Sequence, residues 1–416
     1  MAIGDVIVGI DVETSKVCCC LGQINKFNQV EILDSALAEC DGFIKGKYES
    51  VDSIARAIRF AISDIEKEYD FIVQSAYINI LGKYVEVFST KYSVELDDKY
   101  AGVTQANIDS IIEGVAQVQL PDDYQIIDII PTRFITDTKV TDDPIGIFTK
   151  TLSADVDLVI APISIVKKIS DIMQKAGLAI DGIVANGYAI GDLVLEEEEV
   201  KNGVLLLDVG SDNVDISVFK GNCLLYTDSL PIGGNTITND ISIVLNISYE
   251  EAEKLKKQYG LSETSYIDHD YNIKLTTFDG TDRSKAQVKC SELVEIMAAR
   301  VDEIFSIIKD SLINNHLMDE IKTTVIFGQG FNGINKVEKT AERIIGNMVR
   351  FGNAKTANLL KPESITSYGV VKHISNIKHT KNIGSKIKID DDQSLLDSTM
   401  KSIKKAFGSA INKFKK

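Results

Sequence analysis

Two aspartates, Asp11 and Asp208, stand at the end of an apolar run and at the start of a tight polar turn. The segments that carry them, VGIDVETSKVCCCLGQI from Val8 and LLLDVGSDNVDISVFK from Leu205, look like two copies of one unit. Such turns suit one kind of chemistry. Phosphates need backbone N–H groups that converge on them and a divalent cation to offset their charge, and carboxylates organise that cation. Asp11 with Thr14, Ser15 and Lys16 makes one candidate turn, and Asp208 with Gly210 and Ser211 makes the other. A single Asp-containing hairpin would signify turn chemistry alone. It is the pair, with phosphates between the two turns, that points to a nucleotide.

The elements that hold these turns follow from periodicity. Each apolar run reads as a buried strand, and the arm after each turn alternates (Val17, Cys19, Leu21; Val214, Ile216, Val218) as the returning strand of a hairpin. Repetition so far apart predicts two related α/β halves facing each other. Amphipathic helices follow in each half, from Ile54 to Ile65 and from Leu293 to Ile308. Between Gly82 and about Ile165 the pattern changes to alternating strands (YVEVFSTKYSVEL) and the helical stretch IDSIIEGVAQV, an inserted α+β subdomain. The acidic LEEEEVKNG after Leu195 reads as a solvated connection. The stretch from Lys372 to Ser394 keeps neither period and is expected to be a flexible linker.

At 416 residues the chain exceeds what one core usually serves, and 44% hydrophobic with 25% charged residues is ordinary for a water-soluble body. No stretch approaches the roughly 20 apolar residues that span a bilayer. The start, MAIGDVIVGIDV, lacks a secretory pattern, so a cytoplasmic location is expected. Cys18, Cys19 and Cys20 would alternate across a strand, so they cannot together form a metal site and read as buried free thiols. A net charge of -16 argues against nucleic acid as a partner.

Duplicated Asp-containing phosphate hairpins are similar to those of the actin, Hsp70 and sugar-kinase superfamily. The block PIGGNTITNDISIVLNISYEEAEKLKKQYG, Pro231 to Gly260, resembles the FtsA family in particular. The resemblance implies that Gly233 and Gly234 bring backbone close to a nucleotide and that Glu253 and Lys256, three apart on one helix face, contact its ribose. The same two residues also suit an ordinary intrahelical ion pair. TTVIFGQGFNGINKVEKTAERIIG from Thr323 occupies the place of the adenosine motif, with Gly328 and Gly330 in the turn, and DDPIG (Asp142 to Gly146) resembles a signature of the inserted subdomain. ATP and Mg2+ are the implied cofactors, with Asp11 and Asp208 holding the metal through water.

On this reading residues 1–82 and 166–196 form the first half, 83–165 the insert, 197–240 and 301–371 the second half, and 241–300 its outer subdomain. Residues 372–393 form the linker and 394–416 an amphipathic helix. The chain departs from the family at several places. Glu13 replaces a glycine of the first turn, Ser211 and Asp212 replace glycines of the second, and Asn213 and Val214 replace Thr-Thr, although Asp215 is kept. Thr132 and Arg133 stand for Gln-Glu, and Asn186 and Gly187 for Glu and Pro. At most slow ATP hydrolysis is expected.

The C-terminus adds a membrane element. At about 100° per residue, Leu396, Met400, Ile403, Phe407, Ala410, Ile411 and Phe414 share one stripe. Lys401, Lys404, Lys405, Lys413, Lys415 and Lys416 point elsewhere and make this segment basic on an acidic protein, as a helix on anionic lipid requires. The expected function is a cell-division scaffold on the cytoplasmic face of the membrane at the division site: peripheral, ATP-binding, polymerising with itself, and joining FtsZ and other division proteins to lipid. The alternatives are an adaptor resembling PilM and, for a different chemistry, a small-molecule kinase of the same superfamily.

Overall fold

The computed structural model describes residues 6–25, 29–96, 102–275, 287–354 and 362–380. The expected membrane helix, 394–416, and its site residues Leu396, Met400, Ile403, Lys404, Phe407, Ile411, Phe414 and Lys415 lie outside the described residues.

The architecture is α/β and duplicated. In the first half, Val6–Glu13 and Ser15–Ile24 form an antiparallel hairpin, and Val30–Cys40 extends it antiparallel. Ser75–Ile80 and Ala179–Ala185 then add on the other side in parallel. The second half repeats this order and these directions with Val204–Val209, Val214–Lys220, Cys223–Leu230, Thr323–Phe327 and Met348–Phe351. Parallel neighbours require helical crossovers. In the first half that role falls to Val51–Tyr69, capped by the Ser50 side chain and ended by Asp70 in a left-handed conformation. In the second, the long helix Cys290–Asn314 buries Leu293, Met297, Val301, Phe305 and Ile308. Helices cover both faces of the first sheet, so the hairpin strands are apolar on both sides, which accounts for the unbroken runs Ile7–Ile10 and Val17–Leu21.

The insert is a four-stranded antiparallel sheet, Glu86–Glu95, Thr151–Pro162, Tyr124–Ile135 and Val140–Thr141 in spatial order, with Gln105–Ala116 packed on it. Asp157, fully buried, ties it to its neighbours. Its carboxylate accepts from Ser89 Oγ within the insert (2.7 Å), from Tyr188 OH of the first half (2.8 Å) and from the Leu224 backbone N–H of the second (2.9 Å).

Two expected boundaries need correction. The helix Ile365–Thr380 runs through the first part of the expected linker, with His373 and Ile374 buried. Moreover, it does not belong to the second half. Tyr368, Val370, Val371 and Ile374 pack with Ile7, Cys20, Val184 and Ala189 over the first sheet. Its helical period was masked because Ser367, His373 and Ser375, polar in sequence, are also buried there. His373 stacks on Tyr188 and pairs with Asp192 at 2.9 Å.

Candidate functional site

The first turn is a two-residue loop, Thr14–Ser15, closed by the pair Glu13 and Lys16. Ser15 takes φ 70°, a left-handed conformation that costs a non-glycine residue about 1–2 kcal/mol. The second turn is a four-residue loop in which the Gly210 N–H donates to Asn213 O at 2.8 Å. Asp11, Glu13, Thr14 and Lys16 of the first turn face Asp208, Gly210, Ser211, Asp212 and Asn213 of the second across one cleft, joined by Gly328 and Gln329. The cavity between the two turns has a volume of about 100 Å³.

A buried polar chain spans the cleft floor from half to half. Asn79, a lone amide in the apolar strand Ser75–Ile80, donates to Asp11 Oδ1 (2.5 Å) and to Asn186 Oδ1 (3.1 Å). Asn186, at the start of helix Asn186–Val194, donates in turn to Asp208 Oδ2 (3.2 Å) and Asp215 Oδ2 (2.7 Å). Asp215 also accepts from Ser229 Oγ, and Ser229 accepts from the Lys83 N–H at 3.1 Å. Asn79 is legible in sequence as a polar residue where the strand pattern demands an apolar one. Asn186, which the sequence marks as a departure from the family's Glu, sits at a strand-to-helix junction.

The electrostatics favour a cation. Burial, followed by the charges of Glu13 and Asp208, lifts the Asp11 carboxyl well above the usual range. Burial and then Asp215 and Glu13 push Asp208 up to about 8, against the Asn186 hydrogen bond. Asp215 is raised by burial to about 6, with Ser229 and Asn186 opposing. Among the described residues, three buried atoms at the cleft have no hydrogen-bond partner: Asp11 Oδ2, Thr14 Oγ1 and Asn213 Oδ1. Leaving such atoms unmade is costly, so a ligand or ion that supplies partners is favoured there. The residues fit a divalent cation near Asp11 and Asp208.

The expected glycines have a more immediate task. A Cβ on Gly234 would lie 2.4 Å from Gly330 O, and one on Gly330 would lie 2.4 Å from Gly210 O. Backbone meets backbone, and the Gly234 and Gly330 N–H groups donate to Gly210 O and Val209 O. Gly233 approaches Ser211 in the same way. Gly328 lines the cleft with φ +88°.

Glu253 and Lys256 are outside the cleft lining. Lys256 is buried and pairs with Glu253 at 2.7 Å, while its Nζ donates to Gly234 O and Thr238 Oγ1. The ion pair thus locks helix Tyr249–Tyr259 onto the start of helix Gly234–Leu245. Ser15 is exposed at its loop tip and does not line the cleft. Sequence reasoning did not anticipate Glu363, Ile365 and Thr366, which line the cleft from the return segment.

With the geometry in view, comparisons with known proteins are specific. The sequence profile described as "Cell division protein FtsA" matches residues 205–369, and that of the "SHS2 domain inserted in FTSA" matches 82–160. The chain belongs to the FtsA family. It is 28% identical to Cell division protein FtsA of Neisseria meningitidis over 346 residues, 82% of each chain. With the Bacillus subtilis FtsA it shares 27% over 367 residues, covering 88% of this chain and 82% of the relative. Among solved structures, the PilM-PilN type IV pilus biogenesis complex aligns at TM-score 0.56 with 14% identity, covering 90% of this chain and 98% of that one. MreB5 of Spiroplasma citri bound to ADP aligns at 0.52 with 11% identity, covering 91% and 98%. Likeness at that identity establishes the actin-like fold.

FtsA membership fits the inserted four-stranded sheet and places the chain among division proteins. The departures from the family that the sequence showed now have positions. Glu13 pairs with Lys16 at 3.2 Å, so the cation of the first turn is already engaged. Asp212 accepts from Asn235 Nδ2 at 3.0 Å, and Asn235 Oδ1 in turn accepts from Tyr249 OH. Thr132 donates to Asp155 O, and Arg133 pairs with Asp155. No helix among the described residues is long and apolar enough to cross a membrane.

Proposed function

We propose that this FtsA-family chain is an ATP-binding, actin-like scaffold that polymerises on the cytoplasmic face of the membrane at the division site and joins FtsZ and other division proteins to the lipid. The observation that carries the nucleotide part is the cleft itself: two duplicated Asp turns face each other across buried oxygens without partners, joined by one polar chain. Mg2+ would be held near Asp11 and Asp208, and Thr14, Lys16, Gly210 and Ser211 would meet the phosphates. When bound, the cation supplies charge neutralisation for the phosphates. Asn79 and Asn186 hold Asp11, Asp208 and Asp215 in register from below. A nucleotide that binds only the closed arrangement would stabilise it by linkage, and slow turnover would make ATP a structural clamp.

Self-association is supported by apolar side chains exposed on two different subdomains: Val140, Ile145 and Phe148 on the insert and Ile243 and Val244 on helix Gly234–Leu245. Contacts between unlike surfaces build open filaments. Lipid attachment rests on the stripe and lysines of 394–416 in the sequence. Each anchor alone binds reversibly, and a filament of many binds by avidity. The test is co-sedimentation of the full chain with anionic liposomes, with and without Mg-ATP, beside a chain ending at Ser394. Pelleting that needs the tail and strengthens with ATP is expected. Tail-independent pelleting removes the anchor, and indifference to ATP removes the nucleotide switch.

A further inference from the structure

The first hairpin brings together a donor set of which the proposed Mg2+–phosphate site uses only Asp11. Asp11 and Glu13 are two apart on one strand, so both side chains leave the same face. Cys18 on the returning strand is the direct cross-strand partner of Asp11. A carboxylate oxygen of each acid and the Cys18 Sγ consequently converge, all within 4.8 Å of one another. Cys18 is fully buried and Asp11 is 1% exposed. One Asp11 oxygen is held by Asn79, and the other, Oδ2, has no partner. The run of three cysteines in sequence hid this arrangement. Cys19 turns to the opposite core and Cys20 packs beneath the return helix, which leaves Cys18 alone with the two acids.

We infer that Asp11, Glu13 and Cys18 form a three-ligand site that coordinates a thiophilic divalent cation, with Zn2+ as the representative, directly and with its remaining position open to the cleft. Two carboxylates and a thiolate satisfy borderline-soft Zn2+, and three protein ligands with an open position is its usual non-structural arrangement. Hard Mg2+, held through water and triphosphate oxygens, would have no use for the sulfur. When the metal–sulfur bond forms, the thiol proton leaves to solvent. Glu13 must also turn from Lys16, now 3.2 Å away, to the metal, and the freed ammonium then faces the cleft. Cation occupancy would in this way prepare the turn for an anion. Asp11 is common to this site and to the proposed Mg2+ site, but no step here requires nucleotide.

The full-length protein, stripped of metal under reducing conditions, is titrated with Co2+ and back-titrated with Zn2+. One equivalent of Co2+ should give thiolate-to-metal charge-transfer absorption that Zn2+ displaces. The band should vanish in Cys18→Ala and persist in Cys19→Ala, whose side chain lies on the other face. Glu13→Gln, at a half-exposed position where folding is not at stake, should weaken Zn2+ binding at least tenfold. No charge-transfer band, a band retained in Cys18→Ala, or Co2+ binding without thiolate character would each overturn the site. Binding of a fluorescent ATP analogue to the metal-free and Mg2+-loaded protein is measured in parallel. A thiolate band without nucleotide binding would remove the ATP reading alone.

Discussion

Replacing Asp208 with asparagine tests the strained electrostatics of the cleft most directly. The side chain accepts a hydrogen bond from Asn186 through Oδ2, and an amide oxygen keeps that contact, so the substitution removes charge and little else. Asp208 is pushed up to about 8 by burial and by Asp215 and Glu13. An unfolded aspartate titrates near about 3.9. Between these values the folded state holds a proton that the unfolded state has lost, so stability is greatest below about pH 4 and falls as the pH rises to about 8. Four tenfold steps at about 1.4 kcal/mol each give on the order of 5 kcal/mol lost across that window. Asp215, raised to about 6, adds a smaller loss that is complete by that pH. The assay is the thermal unfolding midpoint from pH 5 to 8.5 in chelator, compared between the two proteins at each pH. The wild type should lose stability steeply toward pH 8, and Asp208→Asn should lose less, with Asp11 and Asp215 still contributing in both, and become the more stable of the two at pH 8. Parallel curves for the two proteins would refute the reasoning, as would a variant weaker than wild type at pH 8.

Asp157→Ala strips a buried acceptor from Ser89, Tyr188 and Leu224 and should destabilise by about 1–3 kcal/mol for each donor left without a partner, with proteolysis entering between the insert and the second half. Urea titration and limited digestion check it, and an unchanged digestion pattern would count against a tying role. Gly330→Ala places a Cβ 2.4 Å from Gly210 O, so the second turn must shift at a cost of about 1–3 kcal/mol, read as a lower unfolding midpoint. Glu13→Gly removes a carboxylate from the phosphate side of the cleft and releases Lys16. A fluorescent ATP analogue should then bind about tenfold more tightly, about 1.4 kcal/mol, in the presence of Mg2+. Equal affinity would show that Glu13 already points away from the bound phosphates.

The hairpins were legible because a sheet covered on both faces writes itself as unbroken apolar runs, and their duplication exposed the two halves. Asp11 and Asp208 then stood out as charges at the ends of such runs. The insert was legible from its change of period. Less visible were features set by partners distant in sequence. Gly233, Gly234 and Gly330 read as nucleotide contacts, although the atoms that crowd them are the carbonyls of Gly210, Ser211 and Gly330. Lys256 read as a ribose contact, and its burial against Thr238 and Gly234 was not legible. The return helix was missed and a linker expected from Lys372 because His373 and Ser375 are buried against the first half, with His373 on Tyr188 and Asp192, which no local pattern records.

That return helix has a mechanical consequence. After leaving the last strand of the second half, the chain crosses back and docks Tyr368, Val370 and Val371 on the first sheet. A tension applied to the polypeptide beyond Thr380 therefore enters the molecule through the first half. It reaches the second through a core that the two halves share, where Val204, Leu206, Phe219, Leu224 and Val325 pack with the first half, and through the Tyr188–Phe219 ring contact and the Asp157 junction. The first half is the loaded end, and the second is drawn along by buried apolar contact.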